Sequence, residues 1–200
     1  MRVLIACEYS GIVRDAFTKK GFDATSCDIL PTESEGKHYQ GDVLDILNDG
    51  WDLMIAHPPC THLSVSGARW FTEGKKPMYL REQAIEFVKK LMDAPIDKIC
   101  IENPVSVISS YIRKSDQMIN PFQFGHMEYK RTCLWLKNLP KLQETNNVKQ
   151  ETDALPDKQK HRIWWIGSGK GKERSKFYTG IADAMADQWG EHLKKINNDI

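Results

Sequence analysis

Short apolar runs alternate with amphipathic segments along most of the chain. The apolar runs that predict strands cover residues 2–6, 22–28, 52–56, 98–102 and 131–136, and residues 41–44 form a third strand end or the turn after it. Apolar residues at helical spacing predict helices over 11–20, 80–92 and 181–196. Strands that alternate with helices through short connections indicate an α/β fold with a doubly wound, mostly parallel sheet.

The region 143–176 departs from this pattern because it is polar and has little periodicity. Its second half is rich in bases, which are Lys158, Lys160, Arg162, Lys170, Lys172, Arg174 and Lys176, with Glu173 as the one acid. Trp164 and Trp165 interrupt these bases. Since the net charge of the whole chain is only +1, affinity for nucleic acid has to come from such a local patch. The alternative for the two tryptophans is a local hydrophobic cluster.

Length and cysteine content narrow the class of protein. The chain has 200 residues, which suits one domain with a small appendage. Its five cysteines are isolated and form no CxxC pair, so we expect free thiols in a reducing compartment and no structural zinc site. No secretory signal and no apolar run of about 20 residues is apparent. We therefore expect a soluble, cytoplasmic protein that does not enter a membrane.

Several residues with chemical potential follow the predicted strands. In open α/β sheets the ligand crevice lies outside the carboxyl ends of the strands. The residues at those ends are Cys7, Glu8, Tyr9, Ser10, Gly11, Asp28, Asp42, Cys60 and Glu102. Gly11 would allow close approach of the backbone to a ligand, and an acid after the second strand, here Asp28, commonly holds ribose hydroxyls. Alternatively, Gly11 and Asp28 are only turn and cap residues.

Cys60 and Glu102 are the candidates for covalent catalysis. Pro58 and Pro59 make a stiff exit from the preceding strand, which could hold the Cys60 thiol in one orientation. The alternative is a buried structural cysteine. His57 and His62 flank Cys60, but no fourth ligand is apparent, so we predict no metal. Glu102 either reaches a cleft, pairs with a base such as Arg131, or caps a helix.

These motifs resemble, in order, those of the DNA (cytosine carbon-5) methyltransferase family. The Pro58-Pro59-Cys60 run matches the nucleophile loop of the family, and Glu102-Asn103 matches its Glu-Asn motif. Looser matches are residues 4–11 with 21–28 to the cofactor motif, Gly41-Asp42 to the next motif, Lys130-Arg131-Thr132 to a basic strand motif, and residues 178–185 to the C-terminal motif.

The resemblance implies a Rossmann-like fold, S-adenosyl-L-methionine as cofactor and duplex or single-stranded DNA as partner. The expected cofactor-binding residues are Cys7, Glu8, Tyr9, Ser10, Gly11, Asp28, Asp42 and Pro58. Cys60 would add to carbon 6 of cytosine, Glu102 would hydrogen-bond or protonate ring nitrogen 3, and Arg131 would orient the base or support Glu102. The expected DNA-binding residues are Lys158, Arg162, Trp164, Lys170, Lys172 and Arg174.

The chain also departs from the family pattern. His57 and Thr61 stand where the family has Gly and Gln around its nucleophile motif, and the first turn is not rich in glycine. Residues 139–177 replace a large target-recognition domain, which is typical of a compact, phage-type member. We therefore expect a catalytic core over 1–138, a reduced basic recognition segment over 139–177 and a C-terminal helix over 178–200. Two alternatives stay open: the same chemistry on a free or modified pyrimidine nucleotide, and a non-catalytic nucleic-acid binder that retains the fold.

Overall fold

Seven strands form one sheet in the spatial order β3-β2-β1-β4-β5-β7-β6. The computed structural model describes residues 1–166 and 170–198, without the side chains of Lys172 and residues 196–198. The strands are β1 (Arg2–Ala6), β2 (Asp23–Asp28), β3 (His38–Gln40), β4 (Leu53–Ala56), β5 (Lys98–Pro104), β6 (Gln117–Ile119) and β7 (Thr132–Lys137). Neighbours among β1 to β5 pair in parallel, and β7 runs antiparallel to both β5 and β6. The expected Rossmann-like, mostly parallel sheet is confirmed.

Helices cover both faces of the sheet. They are α1 (Ile12–Lys19), α2 (Arg69–Thr72), α3 (Met78–Met92), α4 (Ile108–Tyr111), α5 (Lys149–Ala154), α6 (Asp157–Lys160), α7 (Arg162–Trp165), α8 (Gly171–Ser175) and α9 (Thr179–Asn198). Short 3-10 turns lie at Val43–Asp45, Cys60–His62, Val65–Gly67 and Pro121–Gln123. None of the helices in the described residues is both long and apolar enough to cross a membrane.

The apolar run of β1 is continuous because the strand is buried on both faces. Val3 and Ile5 belong to the core beneath α1 and α9, whereas Leu4 and Ala6 belong to the core beneath α3. Successive side chains of a strand point to opposite faces, so one central strand serves two cores. This double burial fixes the position of the loop that follows Ala6.

The long elements agree with the sequence pattern, and the short ones were missed. β6 has three residues, and α5 to α8 have four to six residues each, too few for a periodic signal. The segment 41–44 follows β3 and forms a turn that Asp42 caps by accepting a hydrogen bond from the backbone N–H of Leu44. In its described residues, the polar region after β7 therefore contains the short helices α5 to α8 as well as irregular segments.

Candidate functional site

The carboxyl ends of four neighbouring strands bring the predicted residues to one edge of the sheet. Ala6 of β1 lies beside Cys27 of β2 on one side and Ala56 of β4 on the other. Ala56 in turn lies beside Ile101 of β5. The residues that follow these positions, Cys7, Asp28, His57 and Glu102, therefore lie along one row. This is the edge where ligands bind in open α/β sheets.

Glu8 lies in the turn between β1 and α1, which is the first turn of the site. Its carboxylate is buried and accepts hydrogen bonds from the backbone N–H groups of Val13, at 2.7 Å, and Arg14, at 3.2 Å. Glu8 therefore caps the N-terminus of α1, whereas the sequence indicated a cofactor ligand. A helix N-terminus that already holds a carboxylate offers little to the phosphate groups that bind there in dinucleotide enzymes.

Gly11 and Arg14 fix the loop that follows β2 against α1. Gly11 has a φ of 75°, and a Cβ there would lie 2.1 Å from Ser34 Oγ and 2.4 Å from the Arg14 guanidinium. Arg14 is only 1% exposed and donates hydrogen bonds to the hydroxyls of Ser26 and Thr32 and to the backbone oxygen of Glu35. This side of the site is therefore preformed in the absence of a ligand.

Two carboxylates lie at or just after the ends of β2 and β3. Burial raises the pKa of the Cys7 thiol, and the charges of Asp28 and Asp42 raise it further. Asp28 accepts a hydrogen bond from the N–H of Leu30 at 2.9 Å. Neither aspartate forms an ion pair with the described residues, so this part of the site suits a cation or a ligand with hydroxyl groups.

The nucleophile loop is anchored to the two strands beside it. The backbone N–H of His57 donates to the carbonyl of Ala6 at 2.9 Å. The side-chain amide of Asn103, which is 1% exposed, donates to the carbonyl of Pro58 at 2.8 Å. Cys60 then opens a 3-10 turn. Asn103 is a site residue for which the sequence indicated no role, although its place beside Glu102 in the Glu-Asn motif was the available signal.

Cys60 is exposed, and its thiol lies within the electric field of Glu102. Desolvation of the thiolate by the surrounding atoms raises the pKa of Cys60, and the negative charge of Glu102 raises it further. The positive charges of Lys130 and Arg174 act in the opposite direction. The free protein therefore holds Cys60 as a thiol at neutral pH. The charges of two cations and one carboxylate act on this thiol.

Glu102 pairs with His57 rather than with Arg131. His57 Nδ1 lies 2.9 Å from Glu102 Oε2, and the two side chains are 12% and 11% exposed. Arg131 is exposed, and its charge acts on Cys133, on β7. The neighbouring Lys130 is the base that faces Cys60. In the described residues, no set of three or more His, Cys, Asp or Glu side chains is arranged to hold a metal ion.

The site has two halves: a cofactor half around the turn after β1, and a substrate half around the nucleophile loop and Glu102. The segment Gly171–Ser175 and the residues after it contact both halves and form a bridging segment. The Ser175 hydroxyl lies 3.1 Å from the Tyr9 hydroxyl, in the first turn. The ring of Phe177 lies 4.7 Å from the ring of His57, in the nucleophile loop. The basic end of the polar region therefore lies beside the site.

Acids pair with part of the basic patch. Arg162 lies 3.3 Å from Glu128 and 3.0 Å from Glu173, and Lys170 lies 3.8 Å from Glu173. The predicted patch is therefore less positive than its sequence indicates. The side chain of Lys172 lies outside the described residues.

The two tryptophans stand out from the surface. Trp164 is 77% exposed and Trp165 is 54% exposed, so neither is the centre of a hydrophobic cluster. The ammonium group of Lys158 lies 5.5 Å from the centre of the Trp165 ring. Exposed rings beside cations are the arrangement on which nucleic-acid bases stack.

Comparisons with known proteins give limited information about this chain. No protein-family model matches it, and no curated protein matches it. Among solved structures, it is similar to a "putative DNA modification methyltransferase" encoded within an E. coli prophage, with 18% sequence identity and a TM-score of 0.46. The match covers 78% of this chain and 56% of that protein, so the chain spans little more than half of its length. A similarity at this level carries no argument about function, which has to be inferred from the residues of the site.

Proposed function

We propose that the protein transfers a methyl group from S-adenosyl-L-methionine to carbon 5 of cytosine in DNA, through a covalent bond between Cys60 and carbon 6. The observation that supports this proposal is the position of Cys60 in the turn after β4, where the charge of Glu102, on the adjacent strand β5, raises the pKa of its thiol. A thiol nucleophile and a carboxyl group on one face of a site fit a heteroaromatic ring that needs both.

The chemistry follows from the weak reactivity of cytosine. Carbon 5 is a poor nucleophile until the Cys60 thiolate adds to carbon 6, which breaks the aromatic system and makes carbon 5 enamine-like. The Glu102 carboxyl group stabilises the negative charge that this addition sends to nitrogen 3, because it donates a hydrogen bond or a proton to that atom. After methylation, loss of the proton from carbon 5 and elimination of Cys60 restore the aromatic ring and the thiolate. Lys130 and Arg174 favour the thiolate that starts this sequence.

The cofactor half of the site fits S-adenosyl-L-methionine better than a dinucleotide. Glu8 occupies the helix N-terminus where a pyrophosphate would bind, and S-adenosyl-L-methionine has no phosphate. Asp28 and Asp42 would hold its hydroxyl and cationic groups. When bound, this cofactor supplies an electrophilic methyl group.

The DNA side of the proposal is supported by the bridging segment and the exposed tryptophans. Carbon 5 and carbon 6 of cytosine are out of reach inside a duplex, so the base has to leave the stack. Trp164 and Trp165 are exposed for stacking, and Arg174 lies beside Cys60. With so small a recognition segment, we expect contacts to phosphate to dominate affinity, which then falls steeply with salt.

The test is incubation of the protein with methyl-labelled S-adenosyl-L-methionine and DNA of mixed sequence, followed by digestion and nucleoside analysis. We expect labelled 5-methyldeoxycytidine from the wild type and none from Cys60→Ser. Label in deoxycytidine nucleotides but not in DNA would favour the free-nucleotide alternative. DNA binding without transfer to either substrate would contradict the proposed activity and favour a non-catalytic binder.

A further inference from the structure

We propose that His57 is a positioning residue that supplies a proton to Glu102 and takes it back during the attack on cytosine. This inference rests on the proposed function and adds a role for a residue outside the Pro58-Pro59-Cys60 motif. It is carried by the contact between His57 and Glu102 and by the isolation of that pair from other hydrogen-bonding groups.

The structure holds the imidazole ring in one place. The backbone N–H of His57 is bonded to Ala6, and the ring packs against Phe177 at 4.7 Å with an angle of 56° between the planes. Nδ1 lies 2.9 Å from Glu102 Oε2. Nε2 is buried and has no hydrogen-bond partner in the described residues. The ring therefore interacts with polar groups through Nδ1 alone.

The Glu102 carboxylate, like the His57 ring, depends on this contact. The bond to His57 is the one hydrogen bond that its carboxylate makes with the described residues. Its second oxygen is left for a ligand. An arginine in the same place would hold Glu102 permanently ionised, whereas an imidazole can exchange a proton with it.

Cytosine requires such an exchange. Nitrogen 3 of the neutral base accepts a hydrogen bond, and an ionised carboxylate has no proton to donate. A pair of His57 and Glu102 with one extra proton exists either as imidazolium and carboxylate or as imidazole and carboxylic acid. Both forms are compatible with the 2.9 Å contact, and the second presents a donor to nitrogen 3.

The proton balance closes over the reaction. As the Cys60 sulfur bonds to carbon 6, the electron pair of the carbon 5–carbon 6 double bond shifts towards nitrogen 3. Nitrogen 3 then takes the one extra proton of the pair from the Glu102 carboxyl group, which leaves neutral imidazole at His57 and a carboxylate at Glu102. When solvent water takes the carbon 5 proton and the thiolate is eliminated, the proton on nitrogen 3 returns to the Glu102–His57 pair.

The other groups that face Glu102 do not offer a proton in the neutral range. The charge of Glu102 acts on the thiols of Cys60, Cys100 and Cys133, and burial raises the pKa of all three. The positive charges of Lys130 and Arg174 act on Cys60. Imidazole is the side chain that ordinarily exchanges protons in this range. The rate should therefore rise with pH as Cys60 ionises and fall as the His57–Glu102 pair loses its extra proton.

The decisive variant is His57→Asn, because its amide can occupy the place of Nδ1 and donate a hydrogen bond but cannot carry the extra proton. The probe is a cytosine oligonucleotide in D2O without cofactor, since addition of Cys60 makes carbon 5 exchange its hydrogen with solvent. We expect His57→Asn to slow this exchange about 10- to 100-fold at neutral pH. The falling limb should move to lower pH, and the dissociation constant for the oligonucleotide should change less than about twofold.

Further measurements separate this role from a structural one. The double variant His57→Asn, Glu102→Gln should exchange no more slowly than Glu102→Gln alone, because the two residues act as one unit. In the wild type, ¹⁵N NMR should show the His57 ring changing from imidazolium to imidazole over the falling limb of the rate. A neutral ring together with an ionised Glu102 carboxylate throughout the active pH range would overturn the proposal, whether or not the variant folds.

Two other results would also overturn it. One is a His57→Asn variant with the rate and pH profile of the wild type. The other is a loss of exchange matched by an equal loss of oligonucleotide binding, which would make His57 structural. Failure of the proposed function has a different signature: neither exchange nor methylation by the wild-type protein.

Discussion

The two halves of the site are built differently. In the cofactor half, two charged groups are buried and bonded within the protein: Glu8 is 5% exposed and caps α1, and Arg14 is 1% exposed and holds the loop after β2. In the substrate half, Cys60 is exposed and Trp164 is 77% exposed. The first half is thus preformed for a small ligand, and the second is left open for a large one to complete.

The difference has a physical basis. A small cofactor can give back little binding energy, so a crevice that needed ordering on binding would hold it weakly. A polymer can bring many phosphates and bases, which offset the ordering of a flexible surface. His57 lies at the junction, since it contacts Glu102 on one side and Phe177 of the bridging segment on the other.

The largest expected effect is loss of the nucleophile. Cys60→Ser should lower methyl transfer at least about 10³-fold, because an alcohol of ordinary pKa is far less nucleophilic than a thiolate. Cys133→Ala removes a thiol that is only 3% exposed, on β7, and should retain most of the rate. Transfer rates of the two variants with labelled cofactor make the comparison. Equal rates for Cys60→Ser and the wild type would eliminate covalent catalysis by Cys60.

The rigidity of the cofactor half is tested by two glycines with similar backbone angles. Gly11 has a φ of 75° and Gly21 a φ of 82°, but a Cβ meets Ser34 and Arg14 at the first and nothing within 4 Å at the second. Gly21→Ala should cost about 1 kcal/mol of unfolding free energy, and Gly11→Ala about 3 kcal/mol. Urea denaturation measures both. Equal costs would show that the loop after β2 is not held firmly against α1.

The openness of the substrate half is tested at Trp164. Because its ring is 77% exposed, Trp164→Ala should leave the unfolding free energy nearly unchanged. Loss of stacking should weaken binding of a single-stranded oligonucleotide about 5- to 100-fold. Tyr111→Ala, on α4, is the matched control, since that ring is 51% exposed. Fluorescence anisotropy at one fixed salt concentration would detect the difference, and equal affinities for both variants would remove Trp164 from the interface.

The smallest effect concerns the ionisation of Cys60. Because the charge of Glu102 raises the pKa of the thiol and that of Lys130 lowers it, the pH midpoint of Cys60 alkylation should fall in Glu102→Gln and rise in Lys130→Met. We expect shifts of about one pH unit or less. Lys137→Met is the control, because Lys137 pairs with Ile99 at the opposite end of β5. Shifts in the reverse directions would contradict the placement of these charges.

Strong periodicity made the long elements predictable, and the ends of those elements located most of the site. The apolar runs of β1, β4 and β5 are buried strands, and Cys7, Cys60 and Glu102 lie where the pattern placed them. The sequence did not show which polar groups form hydrogen bonds with one another. Glu8 and Val13 are five residues apart, and His57 and Glu102 are 45 apart.

The interpretation of single residues needed three-dimensional geometry for the same reason. Arg131 was predicted to orient the base or support Glu102, but the Glu102 carboxylate pairs with His57, and it is the charge of Lys130 that acts on Cys60. The tryptophans could equally have been core residues, because two adjacent aromatic residues in a polar segment carry no periodic signal. Only their exposure distinguishes the two interpretations.

The most direct test of covalent attack by Cys60 uses an oligonucleotide in which 5-fluorocytosine replaces cytosine. Fluorine stands where the departing proton would be, so after methyl transfer the Cys60–carbon 6 bond cannot be eliminated. Intact-mass spectrometry of the protein with this oligonucleotide and S-adenosyl-L-methionine should show one protein–DNA adduct, and peptide mapping should place it on Cys60. Absence of the adduct, or an adduct of equal yield in Cys60→Ser, would contradict the account.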